Sequence, residues 1–456
     1  MTKSLFSEFE EVSAKQWKQK IQFDLKGADY NDTLVWQSLE GIHVKPFYHQ
    51  DDFKSPPSPI PGHPAQWKVA QAVFIDDVQI ANSLGLDAIK RGAESIEFTA
   101  EKEFEYKKVF ERFNFSEVEI YFTFHFLKES FLTELIEFLK KQNAKVHYRI
   151  DLLGNLAATG NWFSNNVNDH QVLNNLLSKF PSERLQGVDI SHYQNAGANI
   201  VQQLAYGLAQ ATEYFNFIEQ GNKSQKGLTI TMALGSNYFF EIAKIRAFRK
   251  LYACVAKEFG IEATCHIFVR PSKRNKTIYD YNVNMLRTTT ECMSGILGGA
   301  NTVCNLAYDA IYHKSNEFGE RISRNQLLIL KSESYFDKVS NPSDGSYYIE
   351  SLTEELAQKA LTLFKEIEDN GGFLKSLKEG IIQKKIKESA TKEQALYDSG
   401  ALKLIGTTHF QNEHDRMKDN LELYPFLKRK VRQTVIEPIN ETRISETIEK
   451  QRIENE

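Results

Sequence analysis

Cysteine is scarce in this 456-residue chain: Cys254, Cys265, Cys292 and Cys304 stand apart in apolar surroundings, with no Cys-x-x-Cys pair. That spacing excludes a zinc ribbon or a dithiol redox motif and predicts buried thiols in a reducing compartment. No apolar run reaches the roughly 18 residues that a membrane span needs. The N-terminus, Met1-Thr2-Lys3-Ser4-Leu5-Phe6-Ser7-Glu8, is polar and acidic where a signal peptide would be apolar. A soluble cytoplasmic protein is expected. An excess of one charge is also missing, with 56 Lys and Arg against 60 Asp and Glu, which argues against a nucleic-acid or anionic-membrane partner. Phosphate-loop, dinucleotide-binding, nucleophile-elbow and His-Glu-x-x-His motifs are all absent, arguing against nucleotidyl, hydrolase and zinc chemistry.

What is present is an alternation of short β-type runs with longer helical stretches from residue 93 onward, the mark of successive βα units. Strands are predicted near Ser95–Thr99, Glu119–Phe124, Val146–Leu152, Val188–His192, Leu228–Leu234, Ala263–Val269 and Thr302–Leu306, with a weaker eighth near Tyr335–Val339. Eight parallel strands with intervening helices would close a TIM-type (β/α)8 barrel. The helix Tyr238 to Glu258 is the clearest, with Phe240, Ala243, Phe248, Leu251, Tyr252 and Val255 at three-to-four spacing. Ser236 or Asn237 is expected to cap its start and Gly260 to end it. Gly298-Gly299 and Gly371-Gly372 follow helical runs, where left-handed termination is the ordinary explanation.

Two regions fall outside the repeat. Residues 1–62 hold an amphipathic helix near Phe9–Leu25, a Trp36–Tyr48 segment and the link Ser55-Pro56-Pro57-Ser58-Pro59-Ile60-Pro61. Residues 63–390 are assigned to the barrel and 391–456 to a charged helical C-terminal extension, whose last part, from Lys428, is read as a solvated helix.

The block Arg274 to Tyr348 carries several motifs in order: Asn282, Arg287-Thr288-Thr289-Thr290-Glu291, Gly298-Gly299, Glu317-Phe318, Arg321-Ile322-Ser323-Arg324-Asn325 and Asp344-Gly345-Ser346-Tyr347-Tyr348. In this it resembles the coenzyme-A-binding barrel of the methylmalonyl-CoA mutase family, the cobalamin-dependent carbon-skeleton isomerases. Trp36, Glu40-Gly41-Ile42, Lys45-Pro46 and Tyr48 are similar to the family's N-terminal extension, which wraps a partner subunit. Ancestry of this kind predicts a fold, and the chemistry has to be read from the site residues.

Those residues depart from the pattern of active members. Where the family has Arg-Pro-Trp-Thr-Ile-Arg-Gln-Tyr before the first strand, this chain reads Ala65-Gln66-Trp67-Lys68-Val69-Ala70-Gln71-Ala72, so Ala70 and Ala72 replace the arginine and tyrosine that reach the acyl group. A methyl group cannot supply a bidentate guanidinium fork. Ser191-His192 followed by Ala196-Gly197-Ala198 is similar to a Tyr-His strand end, which places His192 on the histidine that bonds the thioester carbonyl; it is the one catalytic-type residue left, and a packing relic is the competing reading. His266 is read as a buried strand histidine. Lys273 and Arg274, in the cluster Arg270 to Arg274, together with Asn282 and Arg287, are the candidate substrate-binding residues, the cations for coenzyme A phosphates.

The family's cobalamin-binding domain is marked by Asp-x-His-x-x-Gly, which occurs nowhere in these 456 residues. The resemblance therefore implies a barrel without that domain, a shorter sister that pairs with a large catalytic subunit of the mutase. This chain is then expected to bind no cofactor, with adenosylcobalamin in the partner. Removal of residues 1–50 is expected to weaken the pairing. Two alternatives stay open: an active acyl-CoA mutase barrel borrowing a cobalamin-binding domain from a separate chain, and a homodimer when the chain is alone.

Overall fold

The computed structural model describes residues 8–219, 226–427 and 432–456. A short antiparallel hairpin, β1 (Trp36–Gln37) and β2 (His43–Val44), lies in the N-terminal arm. Eight parallel strands then close the predicted barrel: β3 (Lys68–Phe74), β4 (Ser95–Ala100), β5 (Glu119–Phe124), β6 (Lys145–Ile150), β7 (Arg184–Asp189), β8 (Thr229–Leu234), β9 (His266–Pro271) and β10 (Thr302–Cys304). β10 returns to pair with β3, so the sheet has no edge. Among the described residues this barrel and the hairpin are the only sheets.

Two sequence expectations are corrected here. Tyr335–Val339 is not the eighth strand. It follows the π-helical turn Ile329–Glu333, with Tyr335 at φ +59° and both Tyr335 and Val339 facing solvent. The missing strand is β3, the stretch read as an approach to the barrel; its Ala70 and Ala72 give little β signal in isolation, and pairing on both sides makes it a strand. The fourth strand of the prediction also ends earlier, at Asp189. His192 belongs to the short helix Ser191–Asn195 that follows it.

The outward faces of the strands and the surrounding helices form one apolar core. The helix Tyr238–Glu258 has the expected stripe against it, with Phe240, Ala243, Phe248, Leu251 and Tyr252 buried. Asn237 stands at its N-cap position, but no side chain makes the cap hydrogen bond. Gly299 and Gly345 adopt positive φ, at +91° and +79°, consistent with termination and turn roles. Cys265, Cys292 and Cys304 are buried as expected, whereas Cys254 is exposed.

The N-terminal helix starts at Ala14 rather than Phe9, because Ser13 and Gln16 build a capping box there. The C-terminal region is not simply a solvated helix. Residues 428–431 lie outside the described residues, and among the described residues from 432 onward only Glu446–Glu454 is helical. Before it the chain runs as a strap over the C-terminal ends of the barrel strands, tied by backbone bonds from Val435 to Gly160 (2.9 Å), Ile439 to Ala157 (2.8 Å), Thr442 to Asn195 (3.1 Å) and Ile444 to Arg274 (2.9 Å). Gly160, at φ +77°, is required: a Cβ there would lie 2.7 Å from the Ile436 carbonyl oxygen. Ile436, Ile439 and Ile444 are buried, which fastens the strap by apolar contact as well.

Candidate functional site

Alternate residues of each strand point into the barrel, and in a small barrel they pack in layers. At the level of Ala70, the inward groups are Tyr121, Phe268 and Cys304, a compact apolar plug. Above it lies an ion triad. The Glu97 carboxylate accepts from Arg149 Nη2 at 2.5 Å and from Arg270, while Arg149 Nε donates to the Phe122 carbonyl at 2.9 Å. The Arg149 guanidinium lies over the Phe268 ring, 4.8 Å from its centroid.

This triad depends on a local irregularity in β6. The β6–β7 register shifts between His147 and Ile150, and Arg149 has φ +47°, a conformation rare for a side chain of this size. Gly187 on β7 makes the bulge possible, since a Cβ there would meet the Arg149 Cα and Cβ at 2.9 Å. Burial by itself would raise the pKa of Glu97, but the charges of Arg270 and Arg149 outweigh it and hold the carboxyl down at about 2. Glu97 is therefore a permanent anion between two cations.

The mouth above the triad is where barrel enzymes keep their chemistry. His192, Lys273 and Arg274, three of the sequence candidates, lie there with Asn195, and they line a cavity of about 440 Å³ with the strap. The side chains of His192, Asn195 and Arg274 are already engaged. Glu441, from the strap, places Oε1 3.3 Å from His192 Nδ1 and 3.2 Å from Asn195 Nδ2. Burial opposes ionisation of Glu441, yet Lys273 first and then His192 hold its pKa down at about 2. In return, burial lowers the His192 pKa but the hydrogen bond and charge of Glu441 raise it beyond the ordinary histidine value. Arg274 Nε donates to Glu393 at 2.5 Å and its Nη1 to the Thr442 carbonyl at 2.9 Å. Arg274, one of the cations proposed for phosphates, thus holds the chain's own tail, while the Lys273 side chain is exposed and acts on Glu441 through its charge.

Asn282 and Arg287 do not join this group. Asn282 is an exposed residue at the start of the helix Val283–Gly298, without a cap bond. Arg287 donates to Thr277 Oγ1, Asn284 Oδ1 and the Ile405 carbonyl at 2.9, 2.7 and 2.6 Å, which ties the helix to the C-terminal region. Ala70 sits in the apolar plug, and Ala72 lies further along β3, exposed. Glu97, Arg149 and Glu441 were not singled out from the sequence; the only available signal was a charged residue within each of two otherwise strand-like runs, and for Glu441 there was none.

Fold and site together define a closed TIM-type barrel whose axis is blocked below its mouth. A family description reading Methylmalonyl-CoA mutase matches residues 136–454, and the chain belongs to that family. The methylmalonyl-CoA mutase small subunit of Porphyromonas gingivalis is 32% identical over 454 residues, covering 92% of this chain and 73% of that one. The methylmalonyl-CoA mutase of Rhizobium meliloti is 34% identical over 276 residues, covering 59% and 38%, and the mitochondrial enzyme of Bos taurus is 26% identical over 477 residues, covering 90% and 62%. The chain thus spans less than two thirds of the length of these last two.

Proposed function

We propose that this chain is a non-catalytic small subunit of methylmalonyl-CoA mutase, supporting a large subunit that interconverts methylmalonyl-CoA and succinyl-CoA in propionate metabolism. The observation that carries this reading is the blocked axis. An acyl-CoA has a long, flexible arm, and a barrel that enclosed it would need a lumen lined by small groups. Here the lumen holds Tyr121, Phe268 and the Glu97, Arg149 and Arg270 triad. Clearing it would leave charges buried without counter-ions, at several kcal/mol each. At the mouth, the one catalytic-type histidine is engaged by Glu441. Adenosylcobalamin is assigned to the large subunit, and the residues of this chain serve to hold the scaffold that the partner docks on.

The arm supports such docking. Phe9, Val12, Trp17 and Phe23 are exposed on or beside the helix Ala14–Asp24, which buries none of its residues. Large apolar side chains exposed together along one arm are expected to be covered by a partner. The likeness to a small subunit points to the large subunit as that partner.

Turnover measurements discriminate the readings. The purified chain, with adenosylcobalamin and methylmalonyl-CoA, is expected to give no succinyl-CoA, and calorimetry with coenzyme A no binding heat. Turnover on addition of an isolated cobalamin-binding domain would overturn the proposal in favour of an active barrel served in trans.

A further inference from the structure

The end of the barrel opposite the mouth contains a cluster that the proposed function does not use. Glu119 opens β5, His147 is the third residue of β6 and His266 opens β9. One ligand-type atom from each lies within 4.8 Å of the other two. The His147 and His266 rings are 4.1 Å apart between centroids. His266 Nε2 and Glu119 Oε2 both face the Tyr121 hydroxyl, at 2.8 and 3.2 Å. One imidazole and the carboxylate face this hydroxyl and the second imidazole lies beside them, and two imidazoles with a carboxylate form the donor set that zinc-class ions prefer.

The surroundings are those of a built site. His147 Nδ1 lies 2.7 Å from Thr229 Oγ1; a hydroxyl holding one ring nitrogen fixes the ring and turns the other nitrogen toward a ligand. Tyr121 stacks on His147 at 4.6 Å and also bonds Thr302 Oγ1 at 2.8 Å, so the ring cannot drift. All three donors stand on strands of a closed sheet. One group competes: Lys68 Nζ is 2.7 Å from Glu119 Oε1. That bond leaves Oε2, which takes only the Tyr121 hydroxyl at 3.2 Å, as the oxygen a metal would use, and Lys68, about a third exposed, has solvent to turn into.

We infer that Glu119, His147 and His266 form a binding site for a divalent ion of the zinc class, a clasp across the base of the barrel. β5 and β6 are neighbours, and β9 stands opposite β5 in the ring of strands, so one ion would tie facing walls together. The Tyr121 phenol or a water completes the shell. A structural ion fits this end of a barrel, where stability rather than catalysis is usually housed. The inference stands independently of the proposed function, since it holds whether or not the chain turns over substrate.

The full-length chain, stripped with chelator and dialysed, is titrated with zinc chloride by calorimetry and with cobalt(II) by visible absorption. One zinc per chain is expected, together with the intense cobalt bands of a four-coordinate site and a melting temperature that rises with zinc. His266→Gln and Glu119→Gln should each weaken zinc binding at least about tenfold, the scale on which losses at such sites are felt. Should His266→Gln fail to fold, Glu119→Gln, which keeps shape and removes only charge, carries the test. Absence of stoichiometric zinc would overturn the inference, as would zinc that both variants bind as tightly as the parent.

Discussion

Glu97 neutralises two arginines in the barrel lumen, and its own ionisation is bound to theirs. Its folded pKa, near 2, is depressed relative to an unfolded glutamate, so it contributes stability that is present above about pH 4.3 and is lost as pH falls through 2. The shift corresponds to about 3 kcal/mol. Glu97→Gln is expected to cost about 3–5 kcal/mol at pH 7, because it leaves Arg149 and Arg270 without a counter-ion. Urea unfolding from pH 7 to pH 2 checks both points: the variant should be weaker at neutral pH and lose less on acidification. Asp151 works with the opposite sign. Burial raises its pKa to about 6, so its contribution is present below the unfolded aspartate value and fades as pH rises through 6. His192 could be picked out in the sequence because its stretch, followed by Ala196-Gly197-Ala198, resembles a strand end of the family. Glu97 could not, since Ile96-Glu97-Phe98 reads equally well with the carboxylate facing out. Which face of a strand points into a barrel is set by closure, and closure involves all eight strands.

The strap shows what an element does that its composition does not announce. Residues 432 to 445 carry charges at a density that suggests solvent, yet Ile436, Ile439 and Ile444 are buried and Glu441 reaches the barrel mouth. With Glu441→Gln the anion beside His192 is gone, while burial still disfavours the imidazolium, so the His192 pKa should fall relative to the parent, with Asp189 and the Ile439 backbone left to oppose burial. An NMR titration of the histidine ring protons measures this directly, and an unchanged His192 would show that Glu441 does not set its charge. β3 teaches the same lesson. Lys68-Val69-Ala70-Gln71-Ala72 is an unremarkable run until β4 and β10 supply hydrogen-bond partners on either side. The bounds and the buried stripe of the helix Tyr238–Glu258 were readable because its period is local, requiring no knowledge of what it packs against.

At the scale of the whole molecule, the arm is both attached and free. Glu40 accepts from the Ile200 amide at 3.4 Å, and Ile42 is fully buried, so the hairpin belongs to the barrel's own packing. The helix Ala14–Asp24 buries nothing. Deleting residues 1–50 would therefore damage the fold as well as any interface. Deleting residues 1–24, which keeps the buried Tyr30, separates the two effects. It is expected to leave the melting temperature within a few degrees of the parent's while weakening copurification with a large mutase subunit. Coelution of the truncated chain with that subunit, undiminished on gel filtration, would show that the arm does not hold the partner. No helix among the described residues is long and apolar enough to cross a membrane.

By itself the sequence determined the family and the barrel architecture, because local periodicity and ordered motifs record these directly. Only the tertiary structure decided that the axis is filled, that the strap's Glu441 meets His192, and that Glu119, His147 and His266 share one place at the base. Each joins residues from strands and segments far apart in the chain, and such contacts come into being only when the barrel closes.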